Sequence, residues 1–182
     1  MRKPDKRITD SALLFALLDR SPVGRLGTIS SDGWPMIKPL NFARDGWSLY
    51  FHCALEGEKL DDIRRDSRVC FEVDLPIAYV QGDTENPCRA EYLYRSVIIR
   101  GRATKVEERS EKVRALDCLM GKYQPGVTFS GYSDDKLRIT GIVRIDIDDL
   151  SGKEELGKGE LREQALQALK SGAPLPVVLE YS

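Results

Sequence analysis

Strand-like runs succeed one another through turns too short to hold a crossover helix, and this restricts the possible folds more than any other feature of the chain. Val23 to Ile29 leads through Ser30-Ser31-Asp32-Gly33 into Met36 to Phe42. Arg44-Asp45-Gly46 then closes a hairpin into Trp47 to Cys53. Gly, Asp and Ser set such turns because they tolerate positive φ or bond to their own backbone. Strands joined this way run antiparallel. Arg68 to Asp74 alternates with period two, and Leu137 to Ile147 reads as a final strand. Tyr92 to Val106 is the longest run, with Leu93, Val97, Ile99 and Ala103 on one face. It exceeds the usual strand of about five or six residues, so Gly101 is expected to bend or bulge it.

Helices fill the gaps. Leu13, Leu14, Leu17 and Leu18 share one helical face behind Thr9 or Asp10 as N-cap, and Ser21-Pro22 ends that helix. Glu56 to Arg65 reads as a short polar helix with Leu60 and Ile63 inward, and Glu107 to Tyr123 as a longer one. Residues 75–90, carrying Pro76, Gly82, Asn86 and Pro87, read as a long irregular connection, and 124–135 as a second loop. No β-helix-β rhythm appears. The expected fold class is therefore mainly β with added α, a six-stranded antiparallel split β-barrel with peripheral helices. The texture changes after Asp148, which divides the chain into a barrel domain over 1–149 and a C-terminal part over 150–182. The latter holds an amphipathic helix over 160–170 and an extended apolar tail from Pro174, expected to pack on the barrel or on a dimer partner.

A chain of 182 residues can bury a core without metals or disulfides. A net charge of -1 gives no electrostatic reason to expect nucleic acid, and Arg64-Arg65 and Arg100-Gly101-Arg102 read as solvated faces. The charged N-terminus is not followed by a long apolar segment, so a cytoplasmic protein without membrane contact is expected. Cys53, Cys70, Cys88 and Cys118 form no C-x-x-C pair and read as reduced, mostly buried thiols. With His52 as the single histidine, no metal site is expected. Nucleophile-elbow, Walker-loop, dinucleotide-fingerprint and H-E-x-x-H patterns are all absent.

Three segments could carry chemistry. Gly33 to Phe42 is a strand holding Pro35 and Pro39. Proline cannot donate to a ladder, so this is either a plain edge strand or one whose free backbone at Lys38, Leu40 and Asn41 faces a planar ligand. In Tyr50 to Leu60 a strand runs into a helix whose start holds Gly57 and Lys59. That is either a solvated helix start, which Glu56 and Glu58 favour, or a phosphate cradle of helix N–H groups, a close-approach Gly and a lysine. His52 stands at the end of that strand. In Tyr94 to Val97, Arg95 and Ser96 point to opposite sheet faces, so this is either a strand with a paired arginine or one in which one of the two reaches a ligand across a subunit interface while the other packs internally.

Taken in order, G-x-P-x-x-x-P-L-N-F, Y-F-H-x-A-x-E-G-x-K-L, R-V-C-F-E-V-D and Y-R-S-V-x-x-x-G-x-A resemble the 5-nitroimidazole-resistance branch of the pyridoxamine-phosphate-oxidase-like flavoproteins. Arg7 to Asp10 and Pro22 to Gly27 are similar to it too, so the likeness spans roughly residues 2–147. The resemblance implies a split-barrel homodimer with FMN at the subunit interface. It places Lys38, Pro39, Leu40 and Asn41 along the isoalloxazine and His52 and Cys53 beside the ring or ribityl chain. Gly57 and Lys59 would hold the phosphate, and Arg95 or Ser96 would come from the second subunit. Two departures stand out: Glu58 occupies a position where a further basic phosphate contact is often found, and the substrate-phosphate residues of the vitamin B6 oxidases are not evident. The implied activity is an oxidoreductase acting on a small aromatic or nitro compound, with His52 delivering the proton. A flavin-, deazaflavin- or haem-binding module without turnover, or an interaction protein with an empty site, are the alternatives.

Overall fold

A computed structural model describes residues 3–82 and 87–171. Its strands are β1 (Arg7–Ile8), β2 (Gly24–Ile29), β3 (Pro35–Leu40), β4 (Ala43–Asp45), β5 (Ser48–Cys53), β6 (Arg68–Val80), β7 (Glu91–Lys105) and β8 (Gly141–Glu155). The helices are α1 (Ser11–Arg20), α2 (Glu58–Arg65), α3 (Arg109–Tyr123), α4 (Asp134–Ile139) and α5 (Gly159–Ser171). All strands join one sheet in the order β3-β2-β6-β7-β8-β5-β4, with β1 added to β8, and every pairing is antiparallel. The eight described strands exceed the six expected because the short β1 and β4 carry too little pattern to be read.

The two edge strands of this sheet, β3 and β4, are consecutive in the chain. Leu40 and Ala43 are three residues apart, a span of at most about 11 Å. The edges therefore lie side by side although they are not paired with each other, and the sheet curls into a barrel with a split between them. Phe42, Leu49, Phe51, Phe71, Val97 and Ile145 fill the interior, each at most 1% exposed or fully buried. Helix α1 adds Leu14, Leu17 and Leu18 to the same core, and the Asp10 side chain caps it by accepting from Ala12 N at 2.9 Å.

The long pair β7 and β8 shifts register between Arg100 and Gly101, as the lone glycine suggested. A Cβ on Gly101 would lie 2.2 Å from the Asp146 carbonyl oxygen, so the close approach of these strands requires glycine.

Residues 75–80 are not loop: β6 continues to Val80, pairing with Glu91 on β7 and passing Pro76 with a register shift. A proline at a bulge is compatible with a strand. Residues 134–135 are not loop and 137–139 are not strand: 134–139 form α4, capped by the Ser133 side chain accepting from Lys136 N at 3.4 Å, and β8 begins only at Gly141. Asp134 and Asp135 in its first turn and Lys136 and Arg138 in its last suit the helix dipole, and this local charge order outweighs the alternation of Leu137 and Ile139.

The change of texture near residue 149 falls inside β8, which runs on unbroken to Glu155. Helix α5 then packs Ala165, Leu161 and Leu169 on Ala78, Leu93 and Leu156, a second small core at the far end of β6 and β7. The apolar tail from Pro174 lies outside the described residues. The cysteines are all unpaired, but Cys70 and Cys88 are exposed and Cys53 and Cys118 half-buried, so none is the buried thiol expected. Cys70 is exposed because it faces outward on β6, between the inward Val69 and Phe71. No described helix is long and apolar enough to cross a membrane.

Candidate functional site

The first two chemical segments meet in space. Strand β3 is an edge of the sheet, one of the two arrangements that Pro35 and Pro39 allow. Its side chains alternate, with Pro35, Ile37 and Pro39 exposed and Met36, Lys38 and Leu40 half-buried. Lys38 therefore turns away from solvent, and its Nζ lies 2.8 Å from Glu58 Oε2 at the start of α2. That ammonium is enclosed by protein and makes no hydrogen bond, so the contact is a charge pair outside hydrogen-bond geometry.

Helix α2 opens with Gly57 as N-cap at φ 132°, ψ 164°, a conformation that only glycine adopts without strain. No side chain caps this helix, and the Gly57 carbonyl accepts from Leu60 N at 2.9 Å and Asp61 N at 3.2 Å. An uncapped N-terminus presents backbone N–H groups and the positive end of the helix dipole. The helix sits where it does because Leu60 and Ile63 bury into the main core, leaving its first turn at the surface.

Strand β5 brings up the third group. Cys53 is half-buried against the core, whereas His52 is exposed on the opposite face of the strand. The expectation that both line one ligand is thus divided: each faces its own side of β5. Burial pushes the Cys53 thiol up, and the Lys59 and Lys105 ammonium groups pull it back. Lys59 is therefore within electrostatic reach of Cys53, on the side that holds α2. A groove of ≈ 330 Å³ runs beside it between α2 and β7, lined by Leu60, Arg64, Ser67, Thr104 and Lys105.

Arg95 and Ser96 separate as their alternation demands. The Arg95 guanidinium is almost enclosed and bonds Glu154 at 3.1 Å, and Glu154 also holds Arg162 of α5 at 2.5 Å. Arg95 therefore locks α5 to β7. Ser96 lies on the outer face in register with Asp74 and Lys153, followed along β7 by the exposed Ile98. Of the two, Ser96 is the one a second subunit could use.

Sequence reasoning missed Tyr123. Its hydroxyl sits at the split of the barrel, 3.0 Å from Phe42 N, 2.9 Å from Phe42 O and 2.8 Å from Pro22 O. Asn41 Nδ2 donates to the same Pro22 carbonyl at 3.2 Å. These bonds fix the corner immediately after Lys38–Leu40. Lys122 adds a bond to Leu18 O at 3.0 Å and stands 3.6 Å from the Phe42 ring centroid. The end of a helix far along the chain gives no local signal of such contacts. A groove of ≈ 580 Å³ between α3 and α4 is lined by Glu107, Arg109, Lys112, Asp134, Leu137 and Arg138 and includes no site residue. Among the described residues no group of three or more His, Cys, Asp or Glu side chains could hold a metal.

The curled antiparallel sheet, split at an edge strand beside a glycine-led helix start, defines the class: a split β-barrel with peripheral helices. A family model described as pyridoxamine 5'-phosphate oxidase matches residues 10–154, and the chain belongs to that family. The fold is similar to a candidate 5-nitroimidazole antibiotic resistance protein from Bacteroides thetaiotaomicron, with 26% identity and TM-score 0.72, covering 81% of this chain and 86% of that one. It is also similar to the flavocytochrome Anf3 from Azotobacter vinelandii, with 20% identity and TM-score 0.75, covering 100% and 83%. A FAD and haem binding protein from Mycobacterium smegmatis gives 23% identity and TM-score 0.74, covering 90% and 80%. No curated protein matches the chain.

Proposed function

We propose that this chain is an FMN-binding oxidoreductase, working as a homodimer on a small aromatic or nitro compound at an interface flavin. The observation that carries the reading is the enclosed Lys38 ammonium, which draws the free edge of β3 to the uncapped start of α2. An edge strand with spare backbone donors and acceptors suits a planar ring with both. A helix start with Gly57 and Lys59 suits a phosphate. The two lie as neighbours, as one ligand with a ring at one end and a phosphate at the other demands.

When bound, FMN supplies the electron transfer, as a hydride or as single electrons. The chain's part is to hold and orient. Lys59 and the α2 N–H groups bind the phosphate, while the backbone of Lys38 to Asn41 lies along the ring. Ser96 is delivered by the partner's β7. His52, exposed at the end of β5, exchanges protons with water and can pass one to a reduced product. The substrate-phosphate residues of the vitamin B6 oxidases are not evident in this chain, so its own substrate is proposed to be another small aromatic or nitro compound.

The test is an absorption spectrum of the purified protein, followed by titration with FMN, FAD, the deazaflavin F420 and haem. Paired near-ultraviolet and blue bands, or tight quenching with FMN, support the reading. A Soret band would favour a haem-binding module, and no binding at all an interaction protein. His52→Ala should keep FMN binding and slow turnover; unchanged turnover would remove His52 from the chemistry.

A further inference from the structure

Glu58 has the wrong charge for a phosphate site, yet its placement is specific. Its carboxylate is an ion-pair partner of the Lys38 ammonium, which is out of water and makes no hydrogen bond. A desolvated cation needs a counter-charge close by, and Glu58 provides one from the first position of α2. The two ends of the pair differ in freedom: the Lys38 side chain is 24% exposed and that of Glu58 55%. Lysine is the seated partner and the carboxylate the one facing water, on a side chain with three rotatable torsions.

We infer that Glu58 is a built-in competitor for the ligand's phosphate. It occupies Lys38 with a single negative charge at the place where the helix dipole, Lys59 and the Gly57 backbone would receive a phosphate. A phosphate dianion entering there repels the carboxylate, takes over the ammonium of Lys38 and displaces Glu58 into solvent. A ligand without that charge gains nothing by the exchange. The device makes entry depend on a dianionic group and weakens retention of the cofactor by the work of moving Glu58. This deepens the flavin reading of the same site and rests on it.

The test is fluorescence titration of wild type and Glu58→Gln with FMN, with riboflavin as the phosphate-free probe, and with inorganic phosphate as competitor against FMN. Glu58 is more than half exposed, so the variant should fold, and its melting temperature checks this. The expected result is FMN binding about tenfold tighter in Glu58→Gln, with riboflavin unchanged and inorganic phosphate a better competitor. Glu58→Ser should behave in the same way. FMN affinity unchanged or weakened in the variants, or an equal shift for riboflavin, would overturn the proposal while leaving FMN binding itself intact. Failure of both proteins to bind either flavin would instead bring down the flavin reading and the proposal with it.

Discussion

Lys122 is held between opposing influences. Burial pulls its ammonium from 10.5 down to about 8, while Asp19 and the adjacent Phe42 ring face favour the charged form. The unfolded lysine keeps its proton up to about its reference value near 10.4. Between pH 8 and that value the unfolded state therefore binds more protons, and this residue's contribution to stability rises with pH. Part of the side chain meets solvent, so the effect is a slope and not a large step. Lys122→Met should flatten that slope in urea-midpoint measurements from pH 7.5 to 10.5. Thiols and tyrosines raised by burial, such as Cys53 and Tyr50, act in the opposite sense, and comparison with wild type cancels them. An identical slope in both proteins would show that the ammonium is not desolvated. Its neighbour Tyr123 gives a simpler expectation. Tyr123→Phe leaves the Phe42 N–H without the Tyr123 hydroxyl as acceptor at a buried residue, which costs about 1–3 kcal/mol. The same variant should bind FMN more weakly, since the corner it fixes follows directly on Lys38 to Leu40. Loss of stability with unchanged FMN affinity would separate the latch from the site.

At the scale of elements, the rhythm of the chain revealed most of the barrel. The short turn after Ile29 announced the β2–β3 hairpin, whereas the hairpin expected from Met36–Phe42 into Trp47–Cys53 does not form: Arg44 and Asp45 are strand, not turn, and β4 instead of β3 pairs with β5. What escaped reading was decided by partners distant in sequence. Pro76 looks like a strand breaker until β7 is present to tolerate the register shift beside it. Leu137 and Ile139 look like strand until Ser133 caps a helical turn ahead of them. The site divides along the same line. Gly57, Lys59 and the β3 backbone were legible because each has a local chemical reason. The Lys38–Glu58 pair, the Arg95–Glu154–Arg162 lock and the Tyr123 latch join residues that no local pattern connects. Gly101 tests this level directly. Gly101→Ala pushes a methyl group onto the Asp146 carbonyl, so β7 and β8 must part locally. Chemical denaturation should show a loss of about 1–3 kcal/mol. An unchanged midpoint would mean that the register shift at Arg100 absorbs the extra atom.

At the scale of the whole molecule, the outer face of the sheet is what the monomer leaves unfinished. Ile37 on β3, Ile29 on the adjoining β2 and, beyond β6, Ile98 on β7 share that face and are 69%, 45% and 45% exposed. A groove of ≈ 420 Å³ bounded by Ile29, Pro35, Cys70 and Arg100 lies among them. Charged residues stand among the isoleucines, Arg25 and Glu72 level with Ile98 and Arg68 and Arg102 level with Ile29, so the face mixes exposed apolar anchors with ion pairs. Ser96 lies on this same face, so in the homodimer proposed above the contact surface and the flavin site would share it. Ile98→Glu places a second carboxylate on that face beside Glu72 without touching the barrel interior. It should give a monomer by sedimentation, with its melting transition retained and its FMN affinity lost together with the dimer. Monomers that still bind FMN as tightly as wild type would mean that one chain completes the flavin site alone. A dimer that survives Ile98→Glu would place the contact on another surface, and Ser96 would then have no partner's ligand to meet.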